Sequence, residues 1–438
     1  MAPEAEEQRG VSLVGYHRLD GRPAFKIAVR EVDGRYLLYL GHFWHSGWTV
    51  LDVTDPASPE LVRFVEGPAN TTTKQVQVAD GLLICGLERP GTGGPVDREP
   101  YDPSEPYEAG AYVFDVAADP TDPQLLAHWD TGGRGTHRNF YAGGDYAYMC
   151  ASPAGAEPTI DDPSVDPVKN CHLSVVDVSD PERPAEVATW RWPGQRPEAR
   201  GESHSHYFHG PAYVRGDRAY LSYGRLGMVV LDVSTPRDPT LVYRGDFGGM
   251  LGGYNGVHSV VPVPGSDLAV VNSEAIAEGS PLDHERGDPL AYAFVVDVSD
   301  ERDPGYEGRR HRGPRAVGTL PQPRPEPDRP YDTYYAKPAR FGPHNQHHPE
   351  AAGPRLVTDE YVFMTWFNAG LRVFDVSNPL APSEVGYYVP EAPAERVGSN
   401  RPRGELGTQL EDVVVDDRGY VYCTDPNHGL FVLESSFA

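Results

Sequence analysis

The sequence predicts an all-β fold: a single seven-bladed β-propeller, closed by an N-terminal strand that completes the last blade. Three observations predict it, namely a composition suited to short strands, a phrase that recurs along the chain, and incomplete copies of that phrase at the two ends. The chain of 438 residues contains 47 glycines and 44 prolines. This composition disfavours long helices and suits short strands joined by turns.

The recurring phrase is the strongest of these observations. It reads WTVLDVTDPASPELVRFV from residue 48, LSVVDVSDPERPAEVATW from 173, MVVLDVSTPRDPTLVYRG from 228 and LRVFDVSNPLAPSEVGYY from 371. Divergent copies begin at 111 and 293, and a truncated one, LFVLESSFA, begins at 430. Each copy reads as a strand, a proline turn and a second strand, and two further strand-like runs precede it. Four strands in each of seven units indicate a propeller.

The ends of the sequence indicate how the ring closes. The last copy stops after its third strand, whereas VSLVGYHRL at 11–19 resembles the fourth-strand run PELVRFV. Residues 1–438 are therefore expected to form a single propeller domain. Long insertions are expected near 88–110, 152–170, 276–290 and 305–343, all on one face. Because long connections without secondary structure are often functional lids, we expect them to cover a pocket.

The phrase resembles that of the LVIVD-repeat family of bacterial β-propellers, and the resemblance extends over all seven copies. It implies the fold and no particular activity, because a fold does not determine a function.

Charge and cysteine content narrow the range of partners. The net charge of −26 disfavours nucleic acid and anionic membranes, both of which need a positive surface. The sequence shows neither an apolar run of about 18 residues nor a secretory leader, which predicts a cytoplasmic protein without a membrane span. The four cysteines form no CxxC pair, so a thiolate zinc site is not expected. A disulfide between Cys150 and Cys171 and the oligomeric state both stay open.

Histidine marks the start of the innermost strand in four consecutive repeat units. The stretches are GTHRNFYAGGD, SHSHYFHGPAYVRGD, GVHSVVPVPGSD and GPHNQHHPE. Because the innermost strands of a propeller surround one channel, these imidazoles should converge on its axis, where they suit a borderline transition metal. We expect Fe(II), with Mn, Zn or Cu as alternatives, bound by His137, His206, His209, His258, His344 and His347. The spacing leaves open which of His204, His206 and His209, and which of His344, His347 and His348, are ligands.

Other residues on the same face are candidates for catalysis and for substrate binding. The candidates for proton transfer are Tyr207, Tyr335, His42 and Glu411. The candidates for substrate contacts are Trp44, Arg138, Arg225 and Trp366. The aromatic side chains expected on this face favour binding of a small aromatic or apolar molecule. The aspartate of the repeated phrase is expected to cap a turn and not to act in catalysis.

Together these features predict a metal-dependent enzyme, a non-haem Fe(II) oxygenase that acts on a small aromatic or apolar molecule. The site is similar in kind to that of carotenoid-cleaving oxygenases, which bind Fe(II) with propeller histidines, although the repeated phrase is unrelated. One alternative is an Mn- or Zn-dependent lyase, similar to oligogalacturonate lyases, and another is a multi-copper oxidoreductase. A further alternative is a non-enzymatic binding scaffold with a structural metal.

Overall fold

The structure is a computed structural model. It describes residues 2–90, 101–102, 104–152, 171–192, 195, 208–224, 226–247, 256–274, 292–299, 313–398 and 404–438. In these parts the chain forms 28 strands and two short 3-10 turns, Leu19–Gly21 and Tyr334–Ala336. None of the described helical segments has the length and apolar character needed to cross a bilayer.

Sixteen of the strands form four separate four-stranded antiparallel sheets. The first contains β15 (Ala212–Arg215), β16 (Arg218–Ser222), β17 (Met228–Asp232) and β18 (Thr240–Gly245). The second contains β19 (Ser259–Pro262), β20 (Leu268–Asn272), β21 (Ala293–Asp297) and β22 (Arg315–Thr319). The third contains β23 (Tyr361–Thr365), β24 (Leu371–Asp375), β25 (Ser383–Pro390) and β1 (Ala5–Arg9). The fourth contains β26 (Asp412–Val415), β27 (Tyr420–Asp425), β28 (Gly429–Ser435) and β2 (Val11–His17).

The remaining strands form one continuous twelve-stranded sheet. Its first third is β3 (Ala24–Val32), β4 (Arg35–His42), β5 (Gly47–Asp52) and β6 (Glu60–Glu66). Its second third is β7 (Thr72–Ala79), β8 (Leu82–Glu88), β9 (Gly110–Asp115) and β10 (Gln124–Asp130). Its last third is β11 (Gly135–Thr136), β12 (Tyr146–Ser152), β13 (His172–Asp177) and β14 (Ala185–Trp190).

The fold is all-β and a propeller, but the prediction of a seven-bladed propeller is wrong. Four separate blades are present, and the strands of the first three repeat units are joined in one sheet. Single bridges make the joins, His42 with Thr73 and Gly135 with Glu88. Counting copies of a phrase predicts strands, whereas the number of separate sheets depends on these bridges between neighbouring units, which the phrase does not encode.

Two N-terminal strands complete sheets that the C-terminal part of the chain begins. Strand β2 pairs with β28, which is the pairing expected for residues 11–19. Strand β1, which the sequence did not predict, pairs with β25. Each pairing covers the backbone edge of a strand that would otherwise be open, β28 in one sheet and β25 in the other. Apolar side chains of neighbouring sheets pack against one another between the sheets.

The aspartate of the repeated phrase caps a turn, as predicted. In each full copy its Oδ1 accepts a hydrogen bond from the backbone N–H two residues later, at 2.7 to 3.0 Å. The acceptors are Asp52, Asp115, Asp177, Asp232, Asp297 and Asp375. Their side chains serve the backbone and lie away from the centre of the molecule.

The predicted insertions lie largely outside the described residues, which exclude 91–100, 103, 153–170 and 275–291. The insertion near 305–343 is described from residue 313, and it is not only a connection because it contains strand β22. The Tyr334 hydroxyl donates to Glu7 Oε2 at 2.8 Å, so this segment is bound to strand β1. All four cysteines are buried and carry free thiols, including Cys150 and Cys171.

Candidate metal centre

Five repeat units place a side chain at the same register, opposite the C-terminal part of β12, β16, β20, β23 or β27. In each unit the backbone N–H of that residue donates to a carbonyl of the neighbouring strand at 2.8 to 3.0 Å. The residues are His137, His209, His258, His344 and Glu411. Because the five positions are equivalent, their side chains leave the backbone toward a common centre.

The four imidazoles form a continuous arc. Ring centroids are 4.9 Å apart between His137 and His209, 4.7 Å between His209 and His258, and 4.7 Å between His258 and His344. Burial, reinforced by the neighbouring Arg138 guanidinium, lowers the pKa of His209 well below 6.5, and burial likewise lowers that of His258. Both rings are therefore neutral near pH 7 and keep a nitrogen lone pair for a metal.

Glu274 adds a carboxylate to the arc. One ligand atom from each of His209, His258 and Glu274 lies within 4.8 Å of the others. Glu274 follows the end of β20 by two residues, so the sheet that supplies His258 also supplies the acid. Two imidazoles and one carboxylate are a donor set that suits borderline divalent metals and leaves coordination positions open.

The outer two histidines have their tautomers set by neighbouring acceptors. His137 Nδ1 is 3.0 Å from Glu88 Oε1, and His344 Nδ1 is 2.6 Å from the Glu411 carbonyl. In a neutral ring Nδ1–H donates to such an acceptor, and Nε2 then carries the lone pair. Histidine ligands of metals commonly make this kind of hydrogen bond.

Cations balance the acids around the arc. Lys74 Nζ lies 2.8 Å from Glu88, and Arg340 lies 2.8 Å from Glu411 and 3.3 Å from Glu274. Burial alone would raise the pKa of Glu88, but the charge of Lys74 and the hydrogen bond with His137 outweigh it and lower the pKa to about 2. Glu88 is therefore ionised at neutral pH, and it orients His137 without exchanging its proton.

Arg138 lies next to the arc and binds protein groups. Its Nη1 donates to the carbonyls of Gly210, at 2.6 Å, and His258. Its Nη2 donates to Ser259 Oγ at 3.0 Å and Asn345 Oδ1 at 2.8 Å. The predicted substrate-binding residue is thus a positioning residue that joins the strands carrying three of the histidines.

Aromatic rings flank the arc at His344. The Phe367 ring is 4.5 Å from the His344 ring, and the Phe25 ring is 6.0 Å from it. Phe43 packs on Phe25 at 4.6 Å, and the predicted substrate contact Trp44 stacks on Phe43 at 5.1 Å. Phe367 has a φ of 43°, a conformation that a bulky side chain adopts only when its surroundings impose it.

Three predicted residues are held in the core away from the arc. His347 accepts from the Val415 N–H at 3.1 Å and donates from Nε2 to the Leu356 carbonyl at 2.8 Å, so both ring nitrogens serve the backbone. Trp366 is fully buried, and Tyr335 packs 4.5 Å from Phe341 in the same apolar cluster. Tyr207, His204, His206 and Arg225 lie outside the described residues.

His42, a predicted proton-transfer group, is also a buried core residue. Its Nδ1 contacts the Pro23 carbonyl at 3.0 Å, and its Nε2 contacts Thr49 Oγ1 at 2.8 Å. Burial lowers the pKa of His42 from 6.5 to about 3. Both nitrogens are satisfied by the neutral ring, so the structure gives His42 a structural role.

This role predicts an acid-sensitive stability. Between pH 6.5 and about 3 the unfolded chain binds a proton at His42 and the folded chain does not, so the free energy of unfolding falls as the pH falls. His42→Gln should reduce that slope by up to about 1.4 kcal/mol per pH unit. Urea unfolding at a series of pH values in this window measures it, and equal slopes in the two proteins would contradict the assignment.

Sequence reasoning missed Glu88 and Glu274. Each follows or ends the second strand of its unit, in the stretches ICGLERP and VVNSEA, directly before a long insertion. The presence of an acidic residue at the same place in two units could have predicted both positions. It was overlooked because the repeated phrase lies elsewhere in the unit.

Comparison with known proteins supports the fold. Three segments match the LVIVD repeat, at residues 168–191, 213–246 and 356–389. The β-propeller domain of Cps50 (Swd1) from Myceliophteria thermophila is similar with a TM-score of 0.50 and 10% identity, covering 94% of this chain and 98% of that chain. At this identity the similarity shows the fold alone. No curated protein matches the sequence.

Proposed function

This chain carries LVIVD repeats in a β-propeller, and from that premise we propose that its axial arc is the metal centre of a non-haem Fe(II) oxygenase. One observation carries the proposal: ligand atoms of His209, His258 and Glu274 lie within 4.8 Å of one another. Two histidines and one carboxylate with open coordination positions are typical of non-haem Fe(II) oxygenases. The iron, when bound, would supply a binding position for O2 and for a substrate oxygen.

The surrounding residues keep this donor set in place. Glu88 orients His137 from one end of the arc, and the Glu411 carbonyl orients His344 from the other. Arg340 bridges Glu411 and Glu274, which restricts the Glu274 carboxylate to the side of the arc. Arg138 donates to the His258 carbonyl and so sets the position of that strand. Donors held by such contacts bind a metal with little reorganisation.

The substrate class follows from the aromatic rings at His344. Phe25, Phe43 and Phe367 present apolar surface beside the arc, and Trp44 extends it. This apolar surface favours a small aromatic or apolar molecule, because burying apolar surface of both partners stabilises the complex. We assign a dioxygenation: both atoms of O2 enter the substrate, so the reaction balances without a further reductant.

The proposal is tested on full-length protein purified without a histidine tag. After anaerobic exposure to Fe(II) and desalting, elemental analysis should find about one iron per chain. Nitric oxide should then give the EPR signal of a high-spin iron–nitrosyl complex, and O2 uptake should depend on an added aromatic compound. Failure to retain Fe(II), Mn, Zn or Cu would overturn the metal centre. Retained iron without O2 uptake across a panel of apolar compounds would overturn the oxygenase and leave a structural metal.

A further inference from the structure

A second cluster of polar groups lines the axial channel beyond the histidine arc. The segments that carry the histidines continue past them, and the residues that follow line, with Lys26 and Arg355, a narrow cavity with room for roughly one or two water molecules. Its described lining residues include Lys26, Arg138, Tyr213, His348 and Arg355 and no carboxylate. The neighbouring acid, Asp412, accepts from Lys26 Nζ at 2.8 Å. Three cations therefore face one anion in a buried space.

His348 presents an unsatisfied donor at this cavity. It is 4% exposed, and its Nδ1 accepts from the Glu350 N–H at 3.1 Å. The proton of the neutral ring is therefore on Nε2, which has no hydrogen-bond partner among the described residues. A buried donor without an acceptor costs about 1–3 kcal/mol, so an acceptor in the cavity would stabilise the fold.

Two further lining side chains, Arg355 and Lys26, are donors as well. Arg355 Nε donates to the Ala352 carbonyl at 2.8 Å, and no hydrogen bond from its two terminal nitrogens is found in the described part of the chain. Lys26 uses one of its ammonium protons on Asp412, and the Tyr213 ring contacts the His348 ring at 4.3 Å. Donors converge here from three segments of the chain, with excess positive charge and little space.

We propose that this cavity is a binding site for a small monovalent anion of the size of chloride. The anion accepts from His348 Nε2 and from Arg355, and it offsets part of the positive charge of Lys26 and Arg138. The limited room excludes phosphate- and sulfate-sized ions, and the excess positive charge favours an anion over water. The cavity shares Arg138 with the surroundings of the arc, but none of its lining residues is a proposed metal ligand, so anion binding does not depend on the metal.

The test compares thermal unfolding of the full chain in chloride and in gluconate at equal ionic strength. Chloride should raise Tm by roughly 2 °C in a saturable manner, because a ligand that binds only the folded state stabilises it. Bromide should replace chloride, and sulfate should not. Arg355→Gln should abolish the chloride effect, whereas Arg183→Gln, the same change in an exposed pair, should retain it. Equal Tm values in chloride and gluconate would overturn the proposal.

A direct measurement covers the case in which Arg355→Gln does not fold. The NMR line width of the chloride nucleus should increase in the presence of wild-type protein, and added bromide should reverse the broadening. No broadening by the folded protein would refute the site. Metal content is measured on the same samples. Because the cavity contains none of the proposed metal ligands, absence of chloride binding would leave the metal result standing, and the reverse also holds.

Discussion

His258→Ala is expected to lower the affinity for iron by more than about 100-fold. The substitution removes one of the three donors that lie within 4.8 Å of one another. Loss of a residue that only orients a ligand costs about 10–100-fold in affinity, so loss of a ligand should cost more. Competition with a chromogenic chelator on full-length protein measures the change.

A matched substitution separates ligand loss from a general effect of removing histidine. His128 lies on β10, away from the arc, and its Nε2 contacts the Ala109 carbonyl at 3.0 Å. His128→Ala should bind iron as the wild type does. Circular dichroism should show folded β-structure in both variants. Unchanged iron affinity in a folded His258→Ala would show that the arc does not bind the metal through this residue.

Arg340→Met is expected to lower the free energy of unfolding by about 3–5 kcal/mol. Arg340 bridges Glu411, which is 1% exposed, and Glu274, which is also largely buried. Removing the shared cation takes away the charge of Arg340 from two carboxylates in a poorly solvated place. Urea unfolding of metal-free protein measures the loss.

Two further variants test whether the loss of stability comes from the buried charges. The double variant Arg340→Met/Glu411→Gln should recover part of the stability, because it removes one of the stranded charges. Arg244→Met breaks an exposed pair with Asp246 and should cost less than about 1 kcal/mol. If Arg340→Met cost no more than Arg244→Met, the buried charge network would not have the role assigned to it.

The repeat predicted the positions of the axial histidines well. His137 stands eight residues before Asp145 and His209 eight before Asp217, so aligning the turns aligned the imidazoles. His347 shows the limit of that reasoning. A histidine near the same strand start was assigned to the axis, but its ring hydrogen-bonds to two backbone groups of neighbouring segments. Because Val415 is 68 residues away in the chain, no sequence pattern around His347 indicates this contact.

The acids of the site and the joining of the sheets were not predictable from the phrase. Glu88 and Glu274 lie where strands end before long insertions, and there the repeat imposes no residue type. The bridges between neighbouring units are backbone contacts that many side chains would allow. Short-range pattern therefore determined the strands and turns, whereas tertiary contacts determined the donor set and the number of blades.

Strands β1 and β2 affect the order in which the sheets can form while the protein is being synthesised. Arg9 donates to the carbonyl of Val385, 376 residues later in the chain. Strands β1 and β2 leave the ribosome long before β25 and β28, with which they pair, so they must wait unpaired until those strands have been synthesised. During that interval their free edges can pair with other nascent chains, and slow translation would lengthen the exposure.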